Sequence, residues 1–116
     1  MTPEEVVRAN FDAYQRQDLP ACEALLADEL VFTSPQDDHI DREAFLERCF
    51  PTADRFSRQE LIHVVRADAN DVVIVYEYEL KTGGTYRNTE VITVVDERIV
   101  EIQVFFGGAV GTPHGG

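Results

Sequence analysis

YRNTEVITVVDERIVEIQVFFG, residues Tyr86 to Gly107, is the stretch that decides the fold. In its first half Tyr86, Asn88, Glu90, Ile92 and Val94 fall on one face, while Val91 and Val95 lie opposite. A period of two is the signature of a β-strand. Asp96-Glu97 breaks the alternation with turn residues, and Ile99–Phe106 resumes it. The stretch therefore predicts an antiparallel hairpin, with strands over Thr85–Val95 and Ile99–Phe106.

Upstream, the turn signals Asp68–Asp71 and Gly83-Gly84 separate two more predicted strands, Arg58–Ala67 and Val72–Lys81. In the latter, Val72, Ile74, Tyr76, Tyr78 and Leu80 make a wide apolar face, and Val73 and Val75 add apolar area on the other. A sheet that is apolar on both faces needs two covers. Helices of the same chain would supply one, and a second subunit the other.

The first half of the chain predicts those helices. Thr2-Pro3-Glu4-Glu5 is a helix start, with Thr as N-cap, Pro in the first turn and Glu three residues after the cap. Val7, Asn10, Phe11 and Tyr14 then recur at helical spacing. Asp18-Leu19-Pro20 opens a second helix with Cys22, Leu25 and Leu26 inward. Leu30–Thr33 reads as a short strand stopped by Ser34-Pro35, and Asp41 caps a third helix that Pro51 closes. Helices first and antiparallel strands afterwards make an α+β architecture. Residues 1–107 are read as one domain and 108–116 as a flexible glycine-rich tail.

The charge narrows the function. Ten Lys and Arg stand against 22 Asp and Glu, a net charge of −12. Such a field repels phosphate backbones and anionic lipid, so no nucleic-acid or membrane partner is expected. It also turns free anions away unless a local positive site rescues them. The N-terminus, MTPEEVVRANF, lacks a basic region followed by an apolar stretch, so no signal peptide is expected. Cys22 and Cys49 lie on different predicted helices, and neither has a Cys or His at ligand spacing. They read as free thiols of a cytoplasmic protein, with no metal site.

Three segments carry a resemblance: QDLPACEALLADELVFTSP from Gln17, DDHIDREAFLERCFP from Asp37, and the opening stretch. Together with the element order they resemble the SnoaL-like group of the nuclear transport factor 2 superfamily over Val6–Gly107. The resemblance implies a cone-shaped, curved antiparallel sheet wrapped on N-terminal helices, a cystatin-like α+β barrel. It also implies a homodimer, with a cavity in each subunit for a small, largely apolar molecule. It does not imply one reaction, because the fold hosts cyclases, isomerases, hydrolases, dehydratases and proteins that only bind. In ketosteroid-isomerase-like relatives the general base is the aspartate just before the proline, and here that position is Ser34. Their oxyanion tyrosine on the first helix falls at Asn10.

Glu90 is the leading chemical candidate: if the Tyr86–Val94 face points inward, an apolar cavity would raise its pKa into the range of a general acid or base. If the opposite face points inward, Glu90 sits on a solvated surface or a dimer rim. Asn88 is its natural hydrogen-bond neighbour. His39, in Asp37-Asp38-His39, could shuttle protons with an aspartate holding its tautomer. The acids of that cluster also fit plain loop chemistry, with Asp37 or Asp38 bonding a turn after Pro35 and Asp41 capping the helix. Tyr76 and Tyr78 offer apolar area with a polar tip, suited to a ring-bearing ligand. Asn10, Phe32 and Phe105 complete the expected ligand contacts. His63 reads as structural and His114 carries no function. Two readings stay open: a binding protein without turnover, or a cofactor-independent isomerase, cyclase or lyase working by acid–base chemistry.

Overall fold

A computed structural model of the protein describes residues 1–111. The expected residues 112–116 of the tail, His114 among them, lie outside the described residues. Helix α1 spans Pro3–Arg16 and α2 spans Leu19–Leu25. The capping box forms: Thr2 Oγ1 accepts from the Glu5 amide at 3.2 Å, and the Thr2 amide donates to Glu5 Oε1 at 2.7 Å. Strand β1 runs over Leu26–Thr33, longer at its start than the expected Leu30–Thr33. A two-residue strand β2, Ile40–Asp41, leads into α3, Arg42–Arg48, with the Asp41 carboxylate accepting from the Ala44 amide at 2.9 Å. Pro51 does not close α3 but opens a 3₁₀ helix, Phe50–Arg55.

The remaining strands are β3, Phe56–Arg66, β4, Asp71–Leu80, β5, Thr85–Val95, and β6, Arg98–Val110. Strand β6 runs past the expected domain edge at residue 107, so Gly108–Val110 is strand rather than free tail. All six strands form one curved, unclosed sheet in the order β2-β1-β6-β5-β4-β3, with the three α-helices and the 3₁₀ helix before the last four strands. The pairing is antiparallel except between β1 and β6, which run parallel. That exception to an antiparallel sheet had no local signal, because the two strands come from opposite ends of the chain.

Bulges set which residues face in. Between β5 and β6, Thr93 pairs with Glu101 but Val94 pairs with Ile99, so Val100 is an extra residue. A second shift lies between Tyr86 and Asn88, opposite Gly107-Gly108. A Cβ on Gly107 would stand 2.3 Å from the Arg87 carbonyl oxygen, and Gly108 has a φ of +86°, so both positions call for glycine. The concave face carries the core: Val72, Ile74, Ile92, Ile102 and Val104 pack against Val6, Val7 and Ala13 of α1, with Leu26, Leu30 and Phe32 from β1. Among the described residues no helix is long and apolar enough to cross a membrane.

Candidate functional site

The concave face and the helices do not meet over their whole length. Between them lies a cavity of about 430 Å³, within the range of about 300–1,000 Å³ common for small-molecule sites. Ladder register explains its floor. Glu90 sits on the central strand β5 directly between Ile74 of β4 and Val104 of β6, both buried apolar side chains. Its carboxyl lies deep in the fold, and the surface it keeps lines the cavity. Burial raises its pKa from 4.5 to about 7, against the lowering effect of the one hydrogen bond it accepts from a side chain.

That bond comes from Tyr76. Tyr76 pairs across the ladder with Asn88, so it is the diagonal neighbour of Glu90 on the same face, within reach for a long side chain. The Tyr76 hydroxyl donates to Glu90 Oε2 at 2.7 Å and accepts from Asn88 Nδ2 at 3.3 Å. Burial, and then the Glu90 charge, push the Tyr76 phenol far above its usual range, so it stays a neutral donor. Asn88 is buried, and its Oδ1 has no hydrogen-bond partner among the described residues. One line of polar groups, Asn88 to Tyr76 to Glu90, therefore crosses an otherwise apolar wall. Phe11 stands edge-on to Tyr76 at 5.6 Å, and Tyr78 lies 6.1 Å from it.

Helix α1 supplies the facing wall. Asn10 Oδ1 accepts from the Cys22 thiol at 3.3 Å, which leaves its amide N–H groups as the donor end. Tyr14, one turn on, shares a 2.6 Å hydrogen bond with Thr52 and lines the cavity. Burial pushes its phenol up to about 12. Burial likewise raises Cys22 and Cys49 to about 11, so neither thiol is primed as a nucleophile. Among the described residues no group of three or more His, Cys, Asp and Glu is placed to hold a metal ion.

Of the residues expected from sequence, Glu90, Asn88, Asn10, Phe32, Tyr76 and Tyr78 all line this cavity. His39 does not. It is exposed, has a φ of +51°, and pairs with the exposed Asp38, so it stands apart from Glu90. His39 therefore does not share the cavity with Glu90. Phe105 points to the outer face, where it pairs with Thr89, and Phe106 takes the inner position opposite Asn88. In the loop, Ser34 and Asp37 hold the turn together: Ser34 Oγ accepts from the Gln36 and Asp37 amides at 3.1 Å each and donates to Asp37 Oδ2 at 3.5 Å. The Asp37 carboxylate also lines the cavity, 3.6 Å from Arg48.

Asp37 of the loop cluster lines the cavity, and so do Tyr14, Arg48, Arg55 and Phe106, which were not expected as site residues. Tyr14 had a signal, since it lies four residues after Asn10 on the same helical stripe. Arg55 had none, because it ends a 3₁₀ helix that no periodicity announces.

A family model described as a SnoaL-like domain matches residues 7–102. No curated protein matches the chain. Among solved structures, a protein from Kribbella flavida superposes with a TM-score of 0.80 at 21% identity, covering 88% of this chain and 84% of that one. A nuclear transport factor 2-like protein of unknown function from Cytophaga hutchinsonii gives 0.73 at 19% identity, covering 91% and 90%. A proposed polyketide cyclase from Pseudomonas putida gives 0.68 at 20% identity, covering 92% of each. At these identities the likeness shows the fold alone.

Proposed function

The chain belongs to the SnoaL-like domain family, and on that premise we propose that it is a cofactor-independent acid–base catalyst acting on a small, ring-bearing carbonyl compound. The observation that carries this reading is Glu90, a carboxyl on the cavity wall whose pKa of about 7 suits proton transfer near neutral pH. With Oε2 held by Tyr76, Oε1 is the atom that takes a proton from a carbon next to the substrate carbonyl. The protonated Glu90 then returns it, either to another carbon of the same system or to a departing group. The negative charge that develops on the carbonyl oxygen is met by a donor on α1, the Asn10 amide. Tyr14 stays protonated, but its proton goes to Thr52 Oγ1, whose own proton goes to the Cys49 carbonyl.

The test follows deuterium exchange at the carbons next to the carbonyl of 2-tetralone in heavy water by proton NMR. The protein is expected to accelerate exchange, and Glu90→Gln to lose about 100-fold or more of that acceleration. Equal rates for the two proteins would remove Glu90 from the chemistry. The second reading, binding without turnover, is favoured by one observation: a turn-holding Ser34 stands where the isomerase-like relatives keep their base.

The rest of the assignment is part of the same proposal. The protein works as a homodimer through the outer sheet face, where His63, Val75, Thr89 and Phe105 form one row and Val65, Val73, Val91 and Gln103 the next. Val65 and Phe105 are more than half exposed there. Light scattering that reports a monomer at micromolar concentration would sink the dimer. The two free thiols favour a cytoplasmic location.

A further inference from the structure

Nine of the ten basic residues of this acidic chain are arginines, and two of them line the cavity. Arg48 faces Asp37 at 3.6 Å, so it has an opposite charge beside it. Arg55 is different. Among the described residues, ion pairs engage Arg16, Arg48, Arg58, Arg66 and Arg87, but none engages Arg55. It is exposed and lines the cavity, which puts it at the mouth. Its positive charge opposes the rise in pKa at Tyr14 and Cys49, so the guanidinium lies within Coulombic reach of the cavity wall. It has no such effect on Glu90, whose environment is set by burial and Tyr76. The mouth is therefore cationic and the deep carboxyl lies beyond it.

The backbone at Arg55 is held in place. Its carbonyl accepts from the Lys81 amide at 3.0 Å, and the next residue, Phe56, packs against Tyr14 and Tyr78 with ring centroids 6.5 and 5.0 Å away. A guanidinium with no carboxylate partner, on an anchored backbone beside an apolar cavity, is a ready site for one planar anion. We infer that the cavity takes a small carboxylic acid, its ring inside against Phe11, Tyr76 and Tyr78 and its carboxylate at Arg55. This rests on the cavity being the ligand site and names the class of ligand it selects. It also supplies the local positive site that a protein of net charge −12 needs in order to admit an anion.

Calorimetric titration of the protein with 2-naphthoate and with its neutral counterpart 2-naphthamide tests the inference, in wild type, Arg55→Gln and Arg48→Gln. The wild type is expected to bind the acid about tenfold more tightly than the amide, the scale of one charge-assisted contact. Arg55→Gln should bring the two ligands within about twofold, mainly by weakening the acid. Equal affinities in the wild type, a preference that survives Arg55→Gln, or a preference lost only in Arg48→Gln would each overturn the inference while the cavity reading stands. Binding of neither ligand by the wild type would overturn the cavity reading and this inference with it.

Discussion

Replacing Glu90 by Gln should stabilise the protein at alkaline pH. The carboxyl has an ordinary pKa of 4.5, which it keeps in the unfolded chain, and about 7 in the fold. Between these values the native state binds more protons than the unfolded state, so this group's contribution to stability falls as pH rises. Below 4.5 both states are protonated and Glu90 costs nothing; above about 7 both are ionised, and the fold carries the full cost of a buried charge. At about 1.4 kcal/mol for each tenfold change in proton affinity, that cost is about 3 kcal/mol. Gln is neutral at every pH, nearly isosteric, and its amide oxygen can still accept from Tyr76. Urea unfolding of both proteins should thus agree to within about 1 kcal/mol at pH 4.5 and diverge by about 3 kcal/mol in favour of Glu90→Gln at pH 8.5. Circular dichroism is the suitable probe, since the chain has no Trp. The other 21 acids are shared by both proteins and drop out of the difference. A difference that does not change with pH, or a variant less stable at pH 8.5, would refute the placement of this carboxyl in a desolvated site.

Other substitutions separate the remaining parts of the account. Tyr76→Phe removes the bond that lowers the Glu90 pKa, so the rising limb of the pH–rate profile should move to higher pH, at a stability cost of about 1–2 kcal/mol. An unmoved limb would mean that Tyr76 does not tune the base. His39→Gly should leave exchange activity intact and change stability by no more than about 1 kcal/mol, because the residue is exposed and already sits at positive φ. A large loss of activity would return His39 to the chemistry. Gly107→Ala should cost more than about 1 kcal/mol in urea unfolding, since its Cβ would meet the Arg87 carbonyl oxygen at 2.3 Å. An unchanged midpoint would show that the bulge yields easily.

The cavity floor was legible in the sequence wherever the ladder is regular. Strands β4 and β5 pair without a bulge from Asp71–Thr93 to Glu79–Thr85, so plain alternation put Tyr76, Asn88 and Glu90 on one face. Where the ladder shifts, counting fails. Steps of two from the buried Ile99 arrive at Phe105, but the extra residue Val100 moves the inward set to Ile102, Val104 and Phe106. Loops and 3₁₀ turns carry no period at all. Nothing local told that Ser34 would accept both turn amides while Asp37 faced the cavity, or that the His39–Asp38 pair would lie outside its lining. The parallel pairing of β1 with β6 depends on contacts between chain ends, which local patterning does not encode.

The central claim is that one carboxyl in the cavity wall exchanges its proton near neutral pH. Carbon-detected NMR on protein labelled at the glutamate side-chain carboxyls measures this directly, with Glu90→Gln identifying the signal by its disappearance. The account predicts that the Glu90 resonance titrates with a midpoint near 7, well apart from surface glutamates at about 4–5. A midpoint among those surface groups would contradict it.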